Sequence, residues 1–172
     1  MIYFPVTGYI WRVCNMKAES FFMVSGRGQS RTSPLNAFDK ALDDAGIAQL
    51  NLVKVSSVLP KDCRKIEYNH IDPGEITHCV LARMDGVEGE MISAGVLAGE
   101  CRSKEGKEDY GLVAEATGNM PLDKLSSRLG EVLGEMADAR ELVIDGSHVT
   151  SESFTVDDGH YGCVVAALIY VF

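Results

Sequence analysis

Asn51-Leu52-Val53-Lys54-Val55-Ser56-Ser57-Val58-Leu59-Pro60 puts two adjacent serines at the end of a β-branched run, three residues before a proline. Val53, Val55 and Val58 favour an extended chain, while Pro60 has no N–H for a ladder and biases Leu59 away from helix. A strand is therefore expected over 50–57, with the serines at its exit. A turn holding the Ser57 hydroxyl against the Ser56 carbonyl would permit an acyl shift to an ester. Elimination to dehydroalanine and hydrolysis would then leave a pyruvoyl group. The stretch reads as a self-cleavage site at which the chain makes its own carbonyl cofactor.

Context has to carry this reading, because thirteen serines in 172 residues give about one adjacent pair by chance. The second pair, Ser126-Ser127, lies inside a helical apolar repeat, where carbonyls are committed to the i to i−4 ladder. It is assigned no chemistry.

The 172 residues are 46% hydrophobic and 24% charged, which describes a single globular domain with material for a core. No apolar run reaches the roughly 20 residues that span a bilayer, so no membrane association is expected. Ile2 to Trp11 lacks a preceding basic segment and a small-residue cleavage site, and is not read as an export signal. Residues 1–15 read either as an added N-terminal arm or as a misassigned start. A net charge of −9 repels phosphates and suits cationic small molecules, so no nucleic-acid partner is expected. Five widely spaced cysteines do not form a disulfide framework and fit a reducing cytoplasm.

Outward from the serines, a first strand is predicted at 20–25, followed by a turn over Gly26 to Arg31. A helix at 34–45 is capped by Ser33, opened by Pro34 and ended by Gly46. Further strands are predicted at 77–85, 90–98, 110–116, 151–156 and 162–172, with a helix from Pro121 to about Ala139. That helix carries Leu122, Leu125, Leu129, Val132, Leu133 and Met136 on one face. More strands than helices, without regular alternation, predict an α+β fold in which helices cover mixed or antiparallel sheets.

Two acids stand out. At about 100° per residue, Leu35, Asp39 and Leu42 fall within about 60° of helix surface, leaving Asp39 as the one acid on an apolar stripe. It reads either as a carboxylate at the stripe's edge reaching water, or as the partner of a cationic ligand. Glu115 interrupts the apolar run Gly111-Leu112-Val113-Ala114-Glu115-Ala116. It reads either as an outward-facing strand residue or as a buried acid able to donate a proton to carbon. Competing motifs are thin. Gly26-Arg27-Gly28 lacks the third glycine of a dinucleotide loop, and the histidines show no metal-ligand spacing with the cysteines.

Val24-Ser25-Gly26, Leu35 through Leu42 with Ala45-Gly46-Ile47, Asn51 through Pro60, and Gly111-Leu112-Val113 with Glu115 together resemble the pyruvoyl-dependent arginine decarboxylases. The resemblance runs from about Ser20 to the C-terminus. Ala48-Gln49 stand where family members often carry Gly-Asn, and Ala114 and Ala116 replace bulkier neighbours of the acid.

The resemblance implies an αββα-type sandwich assembled as a trimer, or a multiple of it, with active sites where neighbours meet. It implies self-cleavage between Ser56 and Ser57 into a β chain 1–56 and an α chain 57–172 that begins with pyruvoyl. The implied reaction converts L-arginine to agmatine and carbon dioxide through a Schiff base with that group, without pyridoxal phosphate or metal, as in polyamine biosynthesis. Asn51 would assist cleavage, by donating a hydrogen bond to the oxyanion of the acyl shift. Asp39 would receive the guanidinium, Glu115 would donate the proton, and Leu35, Leu42 and Val113 would line the pocket. Two alternatives stay open: a pyruvoyl decarboxylase of another amino acid such as histidine, and a non-catalytic oligomeric binding protein of the same fold.

Overall fold

A computed structural model describes residues 16–105 and 109–172. The segment 1–15, read above as an arm or a misassigned start, lies outside them. The elements run β1 (Ser20–Ser30), α1 (Pro34–Asp44), β2 (Asn51–Lys54), β3 (Val58–Leu59), β4 (Arg64–Lys65) and β5 (Ile76–Val87). They continue through β6 (Met91–Ser103), β7 (Gly111–Gly118), α2 (Leu122–Asp138), β8 (Leu142–Thr155) and β9 (Tyr161–Val171). One sheet has five strands in the order β2-β5-β9-β1-β4, the other four in the order β3-β7-β6-β8. The first is mixed, with β2–β5 and β1–β4 parallel and β5–β9–β1 antiparallel. The second is antiparallel throughout. The described residues form an α+β fold with two sheets and two helices.

Three apolar layers hold these elements together, and the alternation of β9 explains two of them. Val164, Ala166, Leu168 and Tyr170 face the second sheet, where they join Phe21, Val80, Ile92, Val96 and Val113. Cys163, Val165, Ala167 and Ile169 face α1 and pack with Phe22, Ala37, Ala41 and Ile47. A strand covered on both sides is apolar at every position, which is why the C-terminal run lacks alternation. On the far side of the second sheet, Leu125, Leu129, Leu133 and Ala137 of α2 cover Leu112 and Ala114.

Both helices form where predicted. The Ser33 hydroxyl accepts the Asn36 N–H at 3.1 Å, and Gly46, at φ +73°, turns the chain out of α1. In α2 the Ser127 hydroxyl donates to the Asp123 carbonyl one turn back at 3.0 Å, so the second serine pair is helical.

Three expectations are corrected. The predicted turn over Gly26 to Arg31 is strand as far as Ser30, because β1 continues in register with β9 from Ser20↔Val171 to Ser30↔Tyr161. Gly26 and Gly28 serve helix packing instead, since a Cβ at either position would overlap the Ala41 or Ala37 carbonyl oxygen of α1. That close approach selects Ala37 and Ala41 as the buried face of α1 and turns Leu35 and Asp39 away from the sheet, while Leu42 stays half-buried against it. Leu35 is 71% exposed and Asp39 is exposed. The predicted strand at 50–57 ends at Lys54, and the chain resumes in the other sheet at Val58. Strand β8 also begins at Leu142, nine residues before its predicted start, as a long partner for β6.

The glycine contact makes a stability prediction. Gly28→Ala should destabilise the protein by about 1–3 kcal/mol through overpacking against α1. Gly130→Ala, on an exposed helical position with nothing within 4 Å of the added Cβ, should stabilise it by about 0.5–1 kcal/mol. Denaturant unfolding of the two variants beside the unaltered protein measures both signs.

Candidate active site

Ser56 and Ser57 occupy the crossing from one sheet to the other, outside both ladders. Three hydrogen bonds fix the backbone there. The Val58 N–H donates back to the Ser56 carbonyl at 3.0 Å, closing a tight turn around Ser57. The Val113 N–H of β7 donates to the Ser57 carbonyl at 3.0 Å. The Tyr170 hydroxyl, from β9 in the opposite sheet, donates to the Val58 carbonyl at 2.9 Å. Val58↔Leu112 and Leu59↔Gly111 then continue the pairing with β7.

Glu115 lies two residues beyond Val113 on the same strand, so their side chains leave β7 on one face. Val113 is fully buried between the sheets, and Glu115 therefore points toward the opposite sheet, at the edge, with its side chain 33% exposed. Lys54, the last residue of β2, places Nζ 3.0 Å from Glu115 Oε2. That oxygen is shut off from solvent, and the lysine meets it as an ion pair without the direction of a hydrogen bond. The expected apolar surroundings of Glu115 thus include a cation. Lys54 and Glu115 open onto a cleft of about 370 Å³, lined also by Arg83, Thr117 and Arg128. Arg83 is held beneath α1, its guanidinium 3.8 Å from the Phe38 ring centroid and paired with Asp85 at 2.9 Å.

The structure sets Ser57 against Val113, with Ser56 next to it in the turn and Glu115 two residues beyond Val113 on the same strand. It does not bring the other candidates to them within the chain. Asp39 projects from the outward side of α1 and has no hydrogen bond or ion pair among the described residues. Leu35 accompanies it, whereas Leu42 is half-buried against the first sheet. Asn51 Nδ2 donates to the Gly74 carbonyl at 2.6 Å. Four residues of extended chain, about 13 Å, separate Asn51 from Val55. Lys54 was given no role in the sequence reading, although it stands as the one cation among Leu52, Val53 and Val55. Tyr170 was hidden in a continuous apolar run, and the Val58 and Val113 N–H groups carry no side-chain signal.

A family model described as pyruvoyl-dependent arginine decarboxylase matches residues 20–172. The protein named pyruvoyl-dependent arginine decarboxylase from Methanothermobacter thermautotrophicus is 34% identical over 151 residues, covering 87% of this chain and 94% of that protein. One of the same name from Methanopyrus kandleri is 31% identical over 153 residues, covering 88% and 96%. Pyruvoyl-dependent arginine decarboxylase 2 of Methanosarcina mazei is 31% identical over 176 residues, covering 87% and 94%. The chain belongs to the pyruvoyl-dependent arginine decarboxylase family. Among the described residues, no helix is long and apolar enough to cross a membrane.

The cysteine behind Lys54 makes this region sensitive to alkali. Cys79 pairs in register with Lys54, and burial pushes its thiol up to about 11, while burial pushes Cys163 up to about 12. The unfolded thiols ionise near 9.0, so between pH 9 and those values the unfolded state releases protons that the folded state keeps. Stability contributed by the two neutral thiols is therefore complete below pH 9 and declines as pH rises through 11 and 12. Cys79→Ala/Cys163→Ala should flatten the alkaline limb of a plot of melting temperature against pH.

Proposed function

We propose that this chain cleaves itself between Ser56 and Ser57 and then decarboxylates L-arginine to agmatine and carbon dioxide, using a pyruvoyl group derived from Ser57. The observation that carries the reading is the turn around Ser57, which sits outside both ladders. There the Val58 N–H points at the Ser56 carbonyl oxygen and the Val113 N–H at the Ser57 carbonyl. Attack by Ser57 Oγ on the Ser56 carbonyl carbon would place negative charge on an oxygen that already accepts a backbone donor. Loss of the Ser57 α-proton, with Ser56 leaving as a carboxylate, would draw on the Ser57 carbonyl, which Val113 holds. Water then replaces the nitrogen as ammonia. No added metal or pyridoxal phosphate enters this scheme.

When present, a pyruvoyl carbonyl supplies the electron sink for loss of carbon dioxide from an α-amino acid. This chain's residues fit such a group: Glu115 is on the same face of the same strand as Val113, and Lys54 secures one of its oxygens. Glu115 gives the proton to the former α-carbon. Asp39 receives the guanidinium by charge-assisted hydrogen bonds, with Leu35, Leu42 and Val113 along the methylene chain.

Because Asp39 and Asn51 stand away from Ser57 in their own chain, we place them at a neighbouring copy's site. In that arrangement a four-layered αββα sandwich assembles as a trimer, or a multiple of it. Outward Leu35, Val53 and Val58 supply the apolar surface on which copies would meet. Asn51 there assists the neighbour's cleavage. Four free cysteines among the described residues suit a reducing cytoplasm.

Incubation with carboxyl-labelled arginine should release labelled carbon dioxide, and release from labelled histidine instead would overturn the substrate assignment. Ser57→Ala should remain one intact chain without activity. Glu115→Gln should still cleave but lose about 10²–10⁴-fold in kcat. A mixture tests the shared site: Asp39→Asn and Ser57→Ala chains, each inactive alone, should regain activity when co-expressed. A mixture no more active than its parts would place the whole site within one chain.

A further inference from the structure

Among the described residues, the bond from the Tyr170 hydroxyl to the Val58 carbonyl is the one side-chain hydrogen bond that reaches from the first sheet to the turn around Ser57. Tyr170 is 5% exposed, and it points into the layer between the sheets with Phe21, Val80 and Leu168. Its neighbours in that layer are apolar, so burial pushes the phenol well above its ordinary value and favours the neutral, donating form.

The position of the bond gives it a consequence. The Ser57 carbonyl and the Val58 N–H belong to one peptide plane, and Val113 anchors the oxygen end of that plane. The next plane begins at the Val58 carbonyl, which Tyr170 anchors. With a carbonyl pinned on each side of Val58, its φ and ψ are set, and its N–H stays aimed at Ser56 O, 3.0 Å away. β3 is only two residues long and pairs with β7 alone, so its ladder supplies little rigidity of its own.

We propose that Tyr170 is a positioning residue for self-cleavage, holding the Val58 N–H in place as the donor to the oxyanion of the acyl shift. This rests on the reading that the chain cleaves at Ser56-Ser57. In the step concerned, the bond from Ser57 Oγ to the Ser56 carbonyl carbon forms and the bond from that carbon to the Ser57 nitrogen breaks. The hydroxyl proton ends on the freed amine. Charge on Ser56 O rises and falls within this step, and a donor already fixed there lowers the barrier without reorganising. Tyr170 touches none of the reacting atoms and acts through Val58. The role was invisible in the sequence because a tyrosine in a buried strand looks like core.

The test follows freshly synthesised full-length proenzyme over time on denaturing gels, with and without hydroxylamine, which captures the ester and so reports its formation. Tyr170→Phe should cleave about tenfold more slowly than the unaltered chain, and its hydroxylamine-captured product should appear more slowly by the same factor. Ile169→Val, a packing change on the α1 side of the same strand, should leave both rates unchanged. Should Tyr170→Phe not fold, Tyr170→Met removes the same hydroxyl with an adaptable side chain and is held to the same outcomes. Unchanged cleavage in Tyr170→Phe, or slowed cleavage with hydroxylamine capture at the original rate, overturns the proposal while self-cleavage stands. An unaltered chain that never cleaves overturns both.

Discussion

The hydrogen bond from the Val113 N–H to the Ser57 carbonyl fastens the chain where it leaves one sheet for the other. A backbone that changes sheets must leave its ladder for a few residues, and its peptide groups then need other partners. Here Val113, Val58 and Tyr170 provide them, and the result is a short unladdered segment with little freedom. The same constraint sets Glu115 beside the segment, because Lys54 ends β2 against Glu115 while Ser57 rests on Val113. Between Lys54 and Val58 the chain belongs to neither strand. In the proposed function, that unladdered segment is the place where an acyl shift can start.

A second close contact shapes the opposite face. Gly26 and Gly28 let α1 lie against β1 and β9 through Ala37 and Ala41, which leaves the larger Leu35 outside with Asp39. An exposed leucine beside an unpaired carboxylate is poor material for a solitary surface. It becomes coherent if another copy of the chain, and a cationic substrate, complete it. Processing would thus draw on the turn within each chain together with a neighbour's Asn51, and substrate recognition on a neighbour's Asp39.

Much of this was legible in the sequence. Ser33, Pro34 and Gly46 bracket α1 by capping chemistry, and the leucines of α2 mark a face that does cover a sheet. The crossing at 55–57 was legible in part: Pro60 and the serines announced a strand exit, but a two-residue β3 is too short to leave a pattern. The turn over Gly26 to Arg31 was misread because glycine marks both turns and close approaches, and only the helix across from it decides which. For Asp39 the sequence left two readings open, a carboxylate reaching water or the partner of a cation, because the glycines that press Ala37 and Ala41 against the sheet are known only from the fold. Tyr170 and the two N–H donors depend on contacts between distant segments, which single-sequence periodicity does not record.

The most direct measurement is the intact mass of the purified protein under denaturing conditions, joined to sequencing of the fragment ends. The account predicts two chains that part between Ser56 and Ser57. The larger should lack a free amine and be lighter than a serine-initiated fragment by the difference between pyruvoyl and serine, one ammonia. A single uncleaved chain that decarboxylates arginine at full rate would contradict it.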